Sequence, residues 1–153
     1  MDKLEILQGK LDRNGIIYIS AKELSQRGDL PDEELFDNII PTAKLVQHIR
    51  QEMRRFYPDL DLRIKIISGY RKYGTGNNSP NHGELFAIDF ALWLEKKIWK
   101  TEELAKILFN YFLEYKKKWD MGIGYYPIWR KGSHNFCHVD LMQWENKNRL
   151  SLS

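Results

Sequence analysis

Two separated groups of residues carry the side chains that an open metal site needs. They are Ser68-Gly69-Tyr70-Arg71 followed by His82 and Asp89, and, near the end of the chain, His138-Val139-Asp140. Imidazole and carboxylate groups bind zinc, and zinc with a free coordination position can polarise an amide carbonyl. An arginine can stabilise the negative charge that develops on that carbonyl. These residue types therefore indicate hydrolytic chemistry at a metal ion.

Each of these side chains also has an ordinary structural explanation. A lone histidine such as His82 is more often a structural or surface residue than a ligand. Asp89 interrupts an apolar alternating segment, and a buried carboxylate needs a cation or strong hydrogen bonds. A core arginine would satisfy that carboxylate as well as a metal ion would. His138 and Asp140 repeat the anomaly on a second apolar segment, and the recurrence favours a metal site.

The elements that must position these residues follow from turn signals and hydrophobic spacing. The Asn-Gly pair at 14–15 predicts a turn, and the β-branched run at 16–19 predicts a short strand. Ser20 and Glu23 form a capping-box pattern for a short helix, which we expect Gly28 to close. A longer helix is predicted from Pro41 until Pro58 forbids its continuation. Its core positions are Leu45, Ile49, Met53 and Phe56.

The later segments are predicted to be mainly strands that lead into the candidate site. Residues 63–67 predict a strand that runs into Ser68, and residues 72–83 predict a loop without a pattern of its own. Residues 86–90 alternate with strand period, as do residues 135–141, and residues 122–126 predict a further strand. Thr101 caps a periodic helix between them. The pattern predicts an α+β fold with helices packed on a small, mostly antiparallel sheet.

Length and composition fit one compact domain spanning residues 1–153. The chain is 42% hydrophobic and 13% aromatic, and its net charge of +3 comes from scattered basic residues, which does not indicate nucleic-acid binding. The single cysteine, Cys137, cannot form an internal disulfide. The first residues are charged and lead into no apolar segment, so we expect a protein made in the cytoplasm, without a membrane span. We also expect a monomer.

The motifs together resemble those of a known enzyme family. They are Ser68-Gly69-Tyr70-Arg71, His82 with Ala87 and Asp89, Gly122-Ile123-Gly124-Tyr125-Tyr126-Pro127, and Phe136-Cys137-His138-Val139-Asp140. The family is that of the zinc D-alanyl-D-alanine carboxypeptidases and related peptidoglycan peptidases, including phage endolysins, whose fold is shared with the hedgehog signalling domain. The resemblance spans roughly residues 35–143. It implies a hedgehog-like fold and the hydrolysis of amide bonds in peptidoglycan stem peptides, by a protein that acts on the cell wall if released.

The resemblance also implies residue roles. One zinc ion would be bound by His82, Asp89 and His138, and Arg71 would contact substrate or the developing negative charge. Ser68 and Tyr70 of the same motif are candidate substrate-binding residues. Further aromatic residues could line the groove or belong to the core: Tyr125, Tyr126, Trp129 and Trp144.

The chain departs from the family pattern at three places. Pro80 stands where the family usually has serine, and Leu85 stands where it usually has glycine, which predicts a different loop shape around His82. Asn135 stands where many members have an acidic general base, and an amide cannot take a proton from water. Three residues are candidates for that role: Asp140, His134 and Glu84. If none of them takes the role, the activity is weak, or the domain binds its ligand without hydrolysing it.

Two other classes of function stay open at this point. A non-catalytic module of the same fold would bind zinc or cell-wall peptide, and Asn135 favours it. A small basic nucleic-acid-binding or interaction protein would use the histidines structurally, and only the lysine and arginine content favours it. Metal analysis separates the second class from the other two.

Overall fold

The computed structural model describes residues 1–72, 80–95, 97–98, 122–126 and 136–140. The helices are α1 (Lys3–Arg13), α2 (Ala21–Leu24), a 3-10 helix (Glu33–Asn38), α3 (Ile39–Phe56) and α4 (Pro80–Gly83). The strands are β1 (Arg63–Ser68), β2 (Ala87–Leu94), β3 (Lys97–Ile98), β4 (Gly122–Tyr126) and β5 (Phe136–Asp140). The predicted helix at Thr101 lies outside the described residues. Helices together with an antiparallel sheet confirm the α+β class.

The first helix was not predicted, although its signals are present in the sequence. The Asp2 side chain accepts a hydrogen bond from the Glu5 backbone N–H and caps the helix. Leu7 and Leu11 are buried one turn apart on its inner face. The helix ends at the Asn-Gly pair, where Gly15 has a φ of +72°. The predicted turn is therefore confirmed, as a helix terminator.

The predicted strand at 16–19 is wrong, because this segment has no strand pairing. Its burial follows a period of three: Ile16 and Ile19 are buried, whereas Ile17 is 72% exposed. Gln47 on α3 holds the segment instead, because its side-chain oxygen accepts the backbone N–H of both Ile17 and Tyr18. The β-branched residues anchor a connection between helices here.

Helices α2 and α3 confirm two predictions and correct their limits. The capping box of Ser20 and Glu23 is present, but α2 ends at Leu24, before a tight turn that contains Gly28 at a φ of +89°. Helix α3 begins two residues before the predicted start at Pro41. Its predicted core positions are buried except Phe56, which is 53% exposed at the last turn.

The described strands form one antiparallel sheet that lines up the candidate site residues. The strand order is β1-β2-β5-β4, and β3 pairs with the far end of β2. Asp89 lies opposite Ser68 on one side and opposite His138 on the other. Directly opposed residues of antiparallel strands share a face of the sheet. A strand register alone therefore brings together motifs that are distant in sequence.

The core lies between the sheet and the helices, and it fixes the segment that follows His82. Thr42 on α3 donates its hydroxyl to the Phe86 carbonyl at 2.7 Å, and the Asn38 side chain donates to the Glu84 carbonyl at 3.0 Å.

The predicted loop at 72–83 is wrong at its end, where residues 80–83 form a helical turn. In the described part of the chain, no helix is both long and apolar enough to cross a membrane.

Candidate metal centre

Asp89 and His138 form the centre of the candidate site. His138 Nδ1 lies 2.7 Å from Asp89 Oδ1, across the β2–β5 pairing. Asp89 is 3% exposed, so its carboxylate sits in the interior of the protein. The resemblance of the motifs implies that the two side chains share a site, and the structure places them in contact.

His82 reaches the same carboxylate from helix α4. Its Nδ1 lies 2.7 Å from the Gly69 carbonyl oxygen. Because a carbonyl only accepts hydrogen bonds, Nδ1 carries the proton, and the Nε2 lone pair is free to bind a ligand. Nε2 lies 3.3 Å from Asp89 Oδ2, is buried, and has no hydrogen-bond partner among the described residues. A buried nitrogen with an unused lone pair is the feature that a metal ion would satisfy.

The three side chains fit the geometry of a metal site. One ligand atom from each of His82, Asp89 and His138 lies within 4.8 Å of the others. Two ligands about 2.0–2.1 Å from a tetrahedral ion are about 3.3 Å apart, which matches the separation of His82 Nε2 and Asp89 Oδ2. Two imidazoles and one carboxylate could therefore hold a metal ion here.

Asp140 lies on the opposite side of the His138 ring. Its Oδ2 is 2.8 Å from His138 Nε2, whereas Asp89 contacts Nδ1 of the same ring. Asp140 is itself buried. The two carboxylates therefore fix both the position of the imidazole and the direction in which Nδ1 points.

The charges of the cluster depend on one another. Burial alone would raise the pKa of Asp89, but the hydrogen bond from His138 and the nearby imidazole of His82 lower it to about 2. Burial alone would lower the pKa of His138, but its hydrogen bonds with Asp140 and Asp89 raise it to about 9. In the metal-free protein His138 is therefore a cation held between two carboxylates at neutral pH.

Arg71 lies at the edge of the same cluster. Its Nη2 is 3.7 Å from Asp89 Oδ2, longer than a hydrogen bond, and its side chain is 31% exposed. Its Nε is buried and has no hydrogen-bond partner in the part of the chain that the structure describes. The Arg71 backbone N–H lies 3.4 Å from the His82 carbonyl oxygen, which ties the arginine segment to helix α4. The guanidinium thus keeps hydrogen-bonding capacity beside the site.

The other predicted site residues lie in three kinds of place: beside the site, in the core, or outside the described residues. Ser68 lies opposite Asp89 on β1, whereas Tyr70 is buried in the hydrophobic core. Burial and the charges of Asp29 and Asp32 raise the pKa of Tyr70, so its hydroxyl lies near that segment. His134 lies outside the described residues, as do Asn135, Trp129 and Trp144.

Two backbone features of the site were not predicted from sequence. The first is the carbonyl of Gly69, which holds the His82 ring and leaves no side-chain signal. The second is Leu85, which is buried and has a φ of +62°, a left-handed conformation that favours glycine. The Leu85 N–H lies 3.3 Å from the His82 carbonyl oxygen, so this turn closes helix α4 behind the ligand.

Comparison of the chain with models of protein families, with curated proteins and with solved structures found no match.

Proposed function

We propose that this protein is a zinc-dependent peptidase of hedgehog-like fold that hydrolyses amide bonds in peptidoglycan stem peptides. The observation that carries the proposal is the buried Nε2 of His82, whose free lone pair faces the Asp89–His138 pair. Zinc with three protein ligands supplies Lewis-acid polarisation of a carbonyl and a nucleophilic water at neutral pH. The family resemblance of the motifs adds the substrate class.

The turn after His82 supports the resemblance at a point where the sequence departs from it. The family pattern has glycine at the position of Leu85. Leu85 occupies the left-handed backbone region that favours glycine, so the turn keeps that backbone shape with a larger side chain. The departure therefore does not argue against the proposed site.

Asp140 is proposed to orient His138 rather than to take a proton from water. Its carboxylate contacts Nε2, across the ring from the Nδ1 that faces Asp89 and His82. A histidine ligand that gives its second N–H to a carboxylate is held in one orientation and is a stronger base. The proton-accepting role then falls to Glu84 or His134, and comparing Glu84→Gln with His134→Gln distinguishes them.

Asp140→Asn should lower zinc affinity by about 10–100-fold, because the ligand loses its orienting carboxylate. Competition with a chromophoric chelator measures the affinity. Asp61→Asn, at an exposed carboxylate that pairs with Arg63, is the control and should change nothing. Full zinc affinity combined with near-complete loss of turnover would instead make Asp140 the base.

Arg71 is proposed to bind the substrate carboxylate or the developing oxyanion. The planar guanidinium makes two parallel hydrogen bonds to such groups, whereas the lysine ammonium acts as a point charge. Its loose contact with Asp89 and its unused Nε support this role over a structural ion pair.

Arg71→Lys should lower kcat/KM for stem-peptide cleavage by more than about tenfold, equivalent to about 1.4 kcal/mol of transition-state stabilisation. Melting temperature and zinc content should stay at the wild-type values. The assay follows amine release from purified peptidoglycan by mass spectrometry, with the zinc-loaded wild-type chain as reference. A variant that fails to fold or to bind zinc would show that Arg71 is structural.

A second candidate function is a zinc- or cell-wall-binding module without catalysis. Asn135 in place of an acidic base favours it, as does the engagement of Asp140 with His138. The same assay decides between the two. Peptide release that requires zinc supports the peptidase, and peptidoglycan binding without release supports the module.

A further inference from the structure

We infer that helix α2 and the turn behind it position the ligand His82, by way of the peptide unit that joins Gly69 to Tyr70. This inference rests on the metal centre but not on the peptidase activity. It assigns a role at the site to residues 20–26, which precede the region that carries the family motifs.

A single peptide unit connects the two parts. Its carbonyl, on Gly69, accepts the Nδ1–H of His82 at 2.7 Å. Its N–H, on Tyr70, donates to the Leu24 carbonyl at 2.7 Å. The C=O and N–H of a trans peptide point in opposite directions, so His82 and Leu24 lie at opposite ends of a continuous hydrogen-bond chain. Such chains polarise each bond, which strengthens the Gly69 carbonyl as the acceptor for the imidazole.

Close packing locks this peptide in place. A Cβ atom at Gly69 would lie 2.6 Å from the Leu24 carbonyl oxygen and 2.9 Å from the Leu24 Cα, both backbone atoms that cannot swing aside. Glycine is therefore required by the approach of α2. A larger residue would push the two segments apart and move the carbonyl that fixes the His82 ring.

A second contact holds the same segment two residues later. The Gln26 side-chain oxygen accepts the Lys72 backbone N–H at 3.0 Å. Gln26 itself is fixed by two backbone hydrogen bonds with Asp29 at 2.9 Å, which close the turn through Arg27 and Gly28. The end of α2 and the turn thus hold residues 70–72 by two hydrogen bonds, one at Tyr70 and one at Lys72. By holding the Gly69 carbonyl in place, these contacts favour the His82 tautomer with the proton on Nδ1 and fix the orientation of the ring, and thus the direction of the Nε2 lone pair.

The test compares Gly69→Ala with Gly9→Ala as a matched control. A Cβ at Gly9, inside α1, meets only the end of the flexible Arg13 side chain at 3.1 Å, so this variant should behave as wild type. Two properties are measured: the ¹⁵N chemical shifts of the His82 ring in the metal-free protein, and cobalt(II) affinity from its visible absorption. We expect Gly69→Ala to lose the single Nδ1–H tautomer and to bind cobalt about 10–100-fold more weakly.

Gln26→Ala keeps the inference testable if Gly69→Ala does not fold. It should weaken cobalt binding several-fold and broaden the His82 ring signals, whereas Gln26→Glu, which retains the acceptor oxygen, should restore both. Wild-type ring shifts and cobalt affinity in folded Gly69→Ala, or in Gln26→Ala, would overturn the inference. If wild-type protein failed to bind cobalt, the metal centre would be refuted, while the ring shifts would still test the link between α2 and His82.

Discussion

Asp89→Ala should lower zinc affinity by more than about 100-fold, beyond the 10–100-fold that loss of an orienting partner costs. Asp89 touches both candidate histidine ligands, with its two oxygens 2.7 Å from His138 Nδ1 and 3.3 Å from His82 Nε2. Removing it deletes a ligand and also loosens His138, because the ring loses one of its two carboxylate contacts and keeps the one with Asp140. Isothermal titration of the metal-free variant with zinc measures the loss.

Asp37→Ala is the matched control for this substitution. Asp37 is an exposed carboxylate that pairs with Lys10, far in sequence from the candidate site. Its loss should leave zinc affinity at the wild-type value. Zinc binding by Asp89→Ala with undiminished affinity would show that the ion lies elsewhere, and would refute the assigned ligands.

Metal-free protein should lose about 3 kcal/mol of stability as the pH rises from 6.5 to about 9. The pKa of His138 is raised from 6.5 to about 9 in the folded state, so folding is favoured while the ring is protonated. That contribution is complete below pH 6.5 and is lost as the pH passes through about 9. Its size follows from about 1.4 kcal/mol for each pH unit between the two values.

At acidic pH the stability of the metal-free protein changes in the opposite direction, because it rises as the pH rises. The pKa of Asp89 is lowered from 3.8 to about 2, so its contribution is complete above pH 3.8 and is lost as the pH falls towards 2. Metal-free protein should therefore be most stable between about pH 4 and 6.5. Zinc should remove the alkaline loss, because binding at Nδ1 displaces the proton of His138 and grows stronger as the pH rises.

Urea denaturation in the presence of a chelator, at pH 6 and pH 9, measures this dependence. His138→Gln should flatten the alkaline limb, because glutamine does not titrate. Equal stability of wild-type metal-free protein at the two pH values would contradict the proposed charge state of the cluster.

The sequence predicted the faces of the strands, but the register and backbone contacts came only from the structure. Alternation in β2 and β5 placed Asp89 and His138 on polar positions of apolar strands, since the period of a strand is two. Nothing local specifies that these two residues pair with each other, 49 positions apart. The resemblance of the motifs supplied that juxtaposition instead.

The wrong strand at 16–19 and the unpredicted role of Gly69 have physical causes that local sequence patterns do not reveal. The residues at 16–19 have strand propensity, but Gln47 supplies their hydrogen bonds and the segment stays irregular. The role of Gly69 depends on backbone atoms of a segment 45 residues earlier, so no local pattern could predict it.

The number of zinc ions bound per folded chain shows whether His82, Asp89 and His138 form a metal site. Native mass spectrometry after zinc loading and mild dialysis gives that number for wild type and for Asp89→Ala. We expect one zinc ion per wild-type chain, held by His82, Asp89 and His138, and none in Asp89→Ala. A folded wild-type chain that retains no zinc would contradict it.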